Sequence, residues 1–496
     1  MSIARILTLC FLAASSATAQ ADRLAEKSVQ AKEFMAAGKF PEAASLYREL
    51  NREVPNNPGL LLNLGMALQM AGDDSGAVPQ LEAAAKLDPR LAPAWLFLGT
   101  ARLRLGRTVS AIEALNRVLR LQPDQQNARA MLAEALLSVD RAADAAEQYR
   151  TLSEQNPENS AALYGLGRSY ESLSVQAFGE LEKAGRESVY WLVLTAETKH
   201  REQQLSSAFY LYRRALEKAP EMAGLHAALA DIYRQTEHAD WATAEDERER
   251  HLPKPDCGVH KSECEFDAGH YRELIANAGA TDSLETHFWR ARAYNQLAVE
   301  AFARLGELPP CSEQHELKAR IYTNQKRYSE AAKEWKAAAV YSPTNTEIQE
   351  QLGVSLKFSQ DYAGALPVFE ELLKKRPASE ELNYLVGDTL LDLQRPEDAI
   401  PFLKRAIERD PKLLPAHKSL ARAELATGND AAAIPHLKRV LATDTDGSLH
   451  FQLARAYQAA GQPELAKPVL AEYQRIQQTA LADRQASQEE LKITPP

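Results

Sequence analysis

An all-α solenoid, a superhelix of stacked helical hairpins, follows from three features of these 496 residues. A small residue recurs every 34 positions, at Ala43, Ala77, Ala111 and Ala145 and again at Ala331, Ala365, Ala399 and Ala433. A proline keeps the same beat twelve positions behind, at Pro55, Pro89, Pro123 and Pro157 and later at Pro343, Pro377 and Pro411. Between these markers the apolar residues fall at helical rather than alternating spacing. A two-helix unit of this length cannot bury its apolar face alone, so successive copies must stack and share one core.

The first nineteen residues read as an export signal. Arg5 supplies the positive start, Ile6 to Ala14 form a short apolar run, and Ala17-Thr18-Ala19 before Gln20 is a small-x-small cleavage pattern. That run is too short for a stable membrane anchor, and no later stretch is long and apolar enough to span a bilayer. Cys10 lies inside the run rather than at its end, which argues against a lipid-modified terminus. The mature chain is therefore expected in the periplasm, or outside the cell, of a bacterium.

Residues 20–159 hold the first regular block, of four units. In Ala92 to Gln125, Trp95, Leu98, Gly99 and Ala101 share one face of a first helix, and Ala111, Ile112, Leu115 and Val118 share one face of a second. Gly99 and Ala111 remove bulk where the two backbones meet. Gly106 supplies the turn, and Pro123 ends the second helix.

Residues 160–311 depart from the pattern, and the departure is itself repeated. Tyr170, Leu173, Val175, Ala177, Phe178 and Leu181 reappear as Tyr294, Leu297, Val299, Ala301, Phe302 and Leu305 at a constant offset of 124. Regular spacing returns around Ala208 and Ala331 after each copy, so a duplicated module of several helices is expected. Glu245 to Arg250 is an unbroken charged run, read as a solvated helix face. Leu252 to His260, with Pro253, Pro255 and Gly258, is the expected bend or loop.

Three cysteines, Cys257, Cys264 and Cys311, survive signal removal. In an oxidising compartment one disulfide and one remaining thiol are expected, with Cys257–Cys264 the local choice and Cys264–Cys311 a link between layers. A metal site is the alternative, since Cys257, His260, Cys264 and His270 mix thiolates and imidazoles within fourteen residues, although their gaps match no zinc-finger spacing.

Residues 312–480 carry the second regular block and a capping helix. The last unit, with Leu453, Ala454, Tyr457, Gly461 and Ala466, slips to a spacing of 33. From 481 to 496 the chain reads as a polar, frayed tail. In all, roughly eleven units are expected.

Composition narrows the function. The chain is 45% hydrophobic and 25% charged, ordinary for a folded protein, and its net charge of −10 argues against general nucleic-acid binding, which needs a basic stripe. No metalloprotease, phosphate-loop or nucleophile-elbow motif occurs, so an enzyme is not expected and no cofactor is implied.

These units resemble the tetratricopeptide repeat. Its pattern of Trp, Leu-Gly, Tyr, Ala, aromatic, Ala and Pro is met by Trp95, Leu98-Gly99, Ala111 and Pro123, by Leu64-Gly65, Ala77, Ala84 and Pro89, and by Leu352-Gly353, Tyr362, Ala365, Phe369 and Pro377. The resemblance covers nearly all of the mature chain. It implies protein or peptide binding through the concave side, which first helices line.

On that footing Leu62, Met66, Met70, Phe97, Leu103, Met131 and Leu137 form an apolar row in the first block, adaptable through its methionines. They equally suit packing between adjacent repeats. In the second block Lys418, Arg422 and Arg455, near Tyr384, Asp388 and Phe451, form a strip suited to an acidic segment or terminal carboxylate. The family's chaperone-tail clamp uses a Lys and Asn pair one turn apart. Here Lys418 is followed by Arg422, so that specificity does not transfer. The resulting expectation is a scaffold or adaptor of the cell envelope, with a metal- or redox-responsive element at Cys257 and Cys264 as the alternative.

Overall fold

The computed structural model describes residues 22–277, 283–490 and 492–496, so the export-signal segment lies outside the described residues. Among the described residues there are 26 α-helices and no strand, and the fold is an all-α solenoid of helical hairpins. Two compact units are present. One takes in the described residues within Met1–Gln176 together with Tyr294–Arg304, and the other those within Ala177–Ala293 and Leu305–Pro496.

The period is a packing period. All eight alanines of the 34-residue series are completely buried, at 0% exposure, because each sits where its helix crosses the preceding one. A larger side chain there would push the two backbones apart. The trailing prolines mark the exits: helices Phe40–Glu53 (α2), Asp74–Leu87 (α4), Thr108–Leu121 (α6) and Ala142–Gln155 (α8) each end two residues before one. The same holds for Tyr328–Tyr341 (α18), Tyr362–Lys375 (α20) and Pro396–Arg409 (α22). A proline at that point has no N–H to continue the ladder.

In the first unit α2, α4, α6 and α8 alternate with 22–36 (α1), Pro58–Met70 (α3), Ala92–Arg104 (α5) and Gln126–Leu137 (α7). Each hairpin turns through one residue of positive φ, at Gly38, Gly72, Gly106 and Asp140, themselves 34 apart. Gly65 and Gly99 leave room for Leu81 and Leu115 of the following helix; a Cβ on Gly99 would stand 3.0 Å from Leu115.

The middle is built on two long helices, Ser160–Gly185 (α9) and Leu284–Gly306 (α16), and the unit boundaries fall inside both. The duplicated segments begin in them. Within the first unit Tyr164 meets Phe302, centroids 6.3 Å apart, and Tyr170 meets Tyr294 at 6.2 Å, so these stretches run antiparallel.

In the second unit Val189–Arg201 (α10), Leu205–Lys218 (α11), Leu225–Gln235 (α12) and Ala239–His251 (α13) form two further hairpins, turning at Gln203 and Glu237. After a loop at 252–260 come the short helices Lys261–Asp267 (α14) and Tyr271–Asn277 (α15), turning at Gly269. Then follow Ser312–Asn324 (α17), Thr346–Phe358 (α19), Glu380–Asp392 (α21), Leu414–Ala426 (α23) and Ser448–Ala459 (α25), each a first helix. Their second helices are α18, α20, α22, Asp430–Val440 (α24) and Pro463–Glu490 (α26). Twelve hairpins result among the described residues, one more than the roughly eleven units expected, because the short α14–α15 pair lacks the alanine marker.

Two expectations are corrected. The charged run on α13 is not wholly solvated: Glu245 is 0% exposed, its carboxylate bound to Nδ1 of the buried His226 on α12 and, at 2.7 Å, to Arg248. Buried carboxylates persist when hydrogen-bonded and paired in this way. The chain after 481 is not frayed throughout, since α26 continues to Glu490 and the segment 492–496 docks. There Ile493 packs on the α10–α13 core and the Tyr233 hydroxyl donates to the Thr494 carbonyl at 2.6 Å.

Candidate protein-binding surfaces

The first helices of the N-terminal block each bury one set of side chains and leave another at the surface. On α3, Leu61, Leu64 and Leu68 are buried, whereas Leu62 and Met66 are half-buried and Met70 is 51% exposed. On α5, Leu98 is buried while Phe97 and Leu103 stay half-buried; on α7, Leu132 and Leu136 are buried while Met131 and Leu137 stay half-buried. Leu62 and Phe97 also pack against the core of the unit, so the base of the row is structural. Its members are held in place by polar contacts across the stack. Gln69 on α3 donates to the Phe97 carbonyl at 3.3 Å, and the Thr100 hydroxyl lies 3.9 Å from the Met131 sulfur.

The C-terminal strip is less cationic than its sequence suggests. Arg422 reaches Asp392 at 3.3 Å and Asp388 at 3.6 Å, and Lys357 on α19 is held by the same two carboxylates, 2.9 Å from Asp388. Ser419 adds a hydroxyl donated to Asp388 at 2.5 Å. Burial alone would lower the Lys357 ammonium, but Asp388 and Asp392 outweigh it and hold it above the ordinary lysine range. Burial, with Asp388 next to it, pushes the Tyr384 phenol up to about 12.

Tyr384, Asp388, Lys418 and Arg422 all line a cavity of about 570 Å³. Arg455 lies outside it and, like Lys418, makes no ion pair among the described residues. Phe451 is exposed and stacks near Tyr473, centroids 5.4 Å apart. Sequence reasoning missed Lys357 and Asp392. The signal was the period itself, because residues about 31 to 35 apart face each other on successive first helices: Lys357 to Asp388 is 31, Lys357 to Asp392 is 35 and Asp388 to Arg422 is 34.

Cys257 and Cys264 are joined in a disulfide, with their Cα atoms 5.7 Å apart, and Cys311 stands outside it. With both sulfurs bonded to each other, Cys257, His260, Cys264 and His270 do not form a metal centre. Among the described residues no group of three or more His, Cys, Asp and Glu is placed to hold a metal ion, and no helix is long and apolar enough to cross a membrane.

Tetratricopeptide repeat models match residues 34–95, 72–135, 359–423 and 390–449, and a second model of the same description matches 130–189. No curated protein matches the chain. Among solved structures, the MamA protein is 23% identical over 40% of this chain and 92% of its own, with a TM-score of 0.29. A tetratricopeptide repeat protein from Parabacteroides merdae is 15% identical over 67% of this chain and 98% of its own, with a TM-score of 0.32. The first repeat domain of Spaghetti (RPAP3), solved with the HSP90 peptide SRMEEVD, is 23% identical over 24% of this chain and 94% of its own, with a TM-score of 0.23. The repeat matches in both blocks, together with the buried alanines and the proline exits, place this chain in the tetratricopeptide repeat family, whose arrays are protein–protein interaction scaffolds.

Proposed function

We propose that this protein is a scaffold or adaptor of the bacterial cell envelope, gripping a peptide or protein partner in the groove that its N-terminal first helices line, with no covalent step. The observation that carries this reading is the half-exposed apolar row from Leu62 to Leu137, set on helices whose other faces are buried. A row held on a preorganised backbone loses less conformational freedom on binding, and its three methionines adapt to varied apolar side chains. The envelope assignment rests on the export-signal pattern of residues 1–19.

The test is capture of partners by the mature chain from native envelope extract after crosslinking. Replacing Met66 and Met70 by serine should reduce capture at least tenfold while helicity and Tm stay within a degree or two, as surface changes do. A Tm lowered by more than about 5 °C would make both residues core and remove the groove as proposed. Cell fractionation of chains with and without residues 1–19 tests the location, and an unchanged distribution would overturn it.

A further inference from the structure

A cavity of about 600 Å³ in the second unit belongs to neither surface described above. It lies among α10, the turn between α11 and α12, the loop before α14, α14 itself and α16. The Cys257–Cys264 disulfide braces the end of that loop and the start of α14, which contribute Val259, His260 and Glu263.

Its lining joins aromatic faces to carboxylates. Tyr190 and Trp289 supply the rings, and Glu221, Asp256, Glu263 and Glu285 face a single lysine, Lys254. Asp256 is engaged by the Gly258 N–H at 2.9 Å, but Glu221, Glu263 and Glu285 make no ion pair among the described residues. Burial, then Asp267 and Glu285, hold the Glu263 carboxyl above its ordinary range against His260 and Arg292; burial, then Glu285 and Glu263, raise the Tyr190 phenol. Uncompensated negative charge is therefore concentrated here.

Trp289 is only 6% exposed, and its indole N–H, which makes no hydrogen bond to the described residues, is not sealed from solvent. The same aromatic cluster already accommodates one guanidinium: Arg292 sits 4.7 Å from the Phe266 centroid and 5.3 Å from that of Trp289, with Glu197 at 3.5 Å meeting its charge. Aromatic faces beside carboxylates suit an organic cation on an apolar stem. An indole N–H with no protein partner at the cavity wall suits a carbonyl next to that stem.

We propose that this cavity receives a lysine or arginine side chain from an extended segment of a protein partner, with Glu263 and Glu285 meeting its charge, Tyr190 and Trp289 covering its stem and the Trp289 N–H donating to a neighbouring backbone carbonyl. The proposal rests on the protein-binding reading but uses a different unit from the methionine row, so either can fail alone.

Calorimetric titration of the oxidised mature chain tests it, with N-acetyl-arginine methylamide as probe, its citrulline analogue as neutral control and agmatine as a cation lacking the backbone carbonyls. The arginine probe should bind at least tenfold more tightly than citrulline and threefold more tightly than agmatine. Glu263→Gln with Glu285→Gln should weaken it at least tenfold at unchanged circular dichroism. Should that double variant misfold, Glu221→Gln at the exposed rim should still weaken it about threefold. Equal binding of arginine and citrulline probes, agmatine binding as tightly as the arginine probe, or full binding by the folded double variant would each overturn the proposal.

Discussion

A regular hairpin of the first unit and the long-helix pair beside it both need a glycine where two helices meet, but they fill the gap differently. Gly99 makes room for Leu115, sixteen residues on in the same hairpin, whereas Gly167 makes room for the Phe302 ring, 135 residues on. In the hairpin the partner is flexible and local, and a Cβ on Gly99 would stand 3.0 Å from it. At Gly167 the Cβ would stand 2.3 Å from a ring edge. The Gly99 joint is thus closed loosely within one hairpin, while the Gly167 joint depends on a close fit between segments far apart in sequence.

The largest expected effect tests that difference directly. Gly167→Ala should cost roughly 2–3 kcal/mol by overpacking, while Gly99→Ala, offset by alanine's better helix propensity, should change stability by less than about 1 kcal/mol. Denaturant midpoints measure both, and Phe302→Leu in the Gly167→Ala chain should recover most of the loss. Equal costs at the two glycines would erase the contrast.

A smaller effect concerns the covalent brace, which the regular blocks do without. Cys257→Ser with Cys264→Ser opens a ring of sequence separation 7. Because the ring is short, the loss should be about 2 kcal/mol, appearing as faster amide exchange confined to the loop and α14. Faster exchange spread through α19 to α24 would show that the brace supports the regular block as well.

The smallest effect lies in the regular C-terminal block. His417 Nε2 donates to the Pro411 carbonyl at 3.1 Å, and its Nδ1 lies 2.9 Å from His436 Nδ1, a contact in which one ring must donate and the other accept. Burial, then His417 and Lys404, hold His436 below its ordinary 6.5, against Glu424. A depressed folded value means this contribution is fully present above pH 6.5 and is lost as pH falls from there through the folded value. For a half-buried ring the loss is under about 1 kcal/mol. Thermal melts of wild type and His436→Gln across that window should converge at low pH; parallel curves would assign the dependence elsewhere.

What the sequence made legible is whatever stacking repeats identically. The alanines and prolines stood out because every unit imposes the same steric demand at the same phase. The hairpin turns were only partly legible. Gly106 announced its positive φ, but Asp140, Gln203, Glu237, Lys326, Gln360 and Gln394 adopt the same left-handed conformation with side chains that carry no such signature. Glu245 looked like its solvated neighbours because its partner, His226, lies on another helix and leaves no mark in the charged run. In the candidate binding strip, Lys418 and Arg422 were visible as cations, but the carboxylates that occupy Arg422 could be placed only by following the 34-residue phase from one first helix to the next.

The hydrogen bond between Tyr233 and Thr494 spans 261 residues, in a unit built largely from hairpins packed on their sequence neighbours. Hairpins can close one by one as the chain leaves the ribosome, each needing only the one before it. This contact must wait until residue 494 has emerged, long after the α10–α13 core that Ile493 joins has been synthesised. The second unit therefore carries a timing signal in its topology: its last stitch is tied across a finished seam, and the entropy of closing so long a loop falls on a handful of residues.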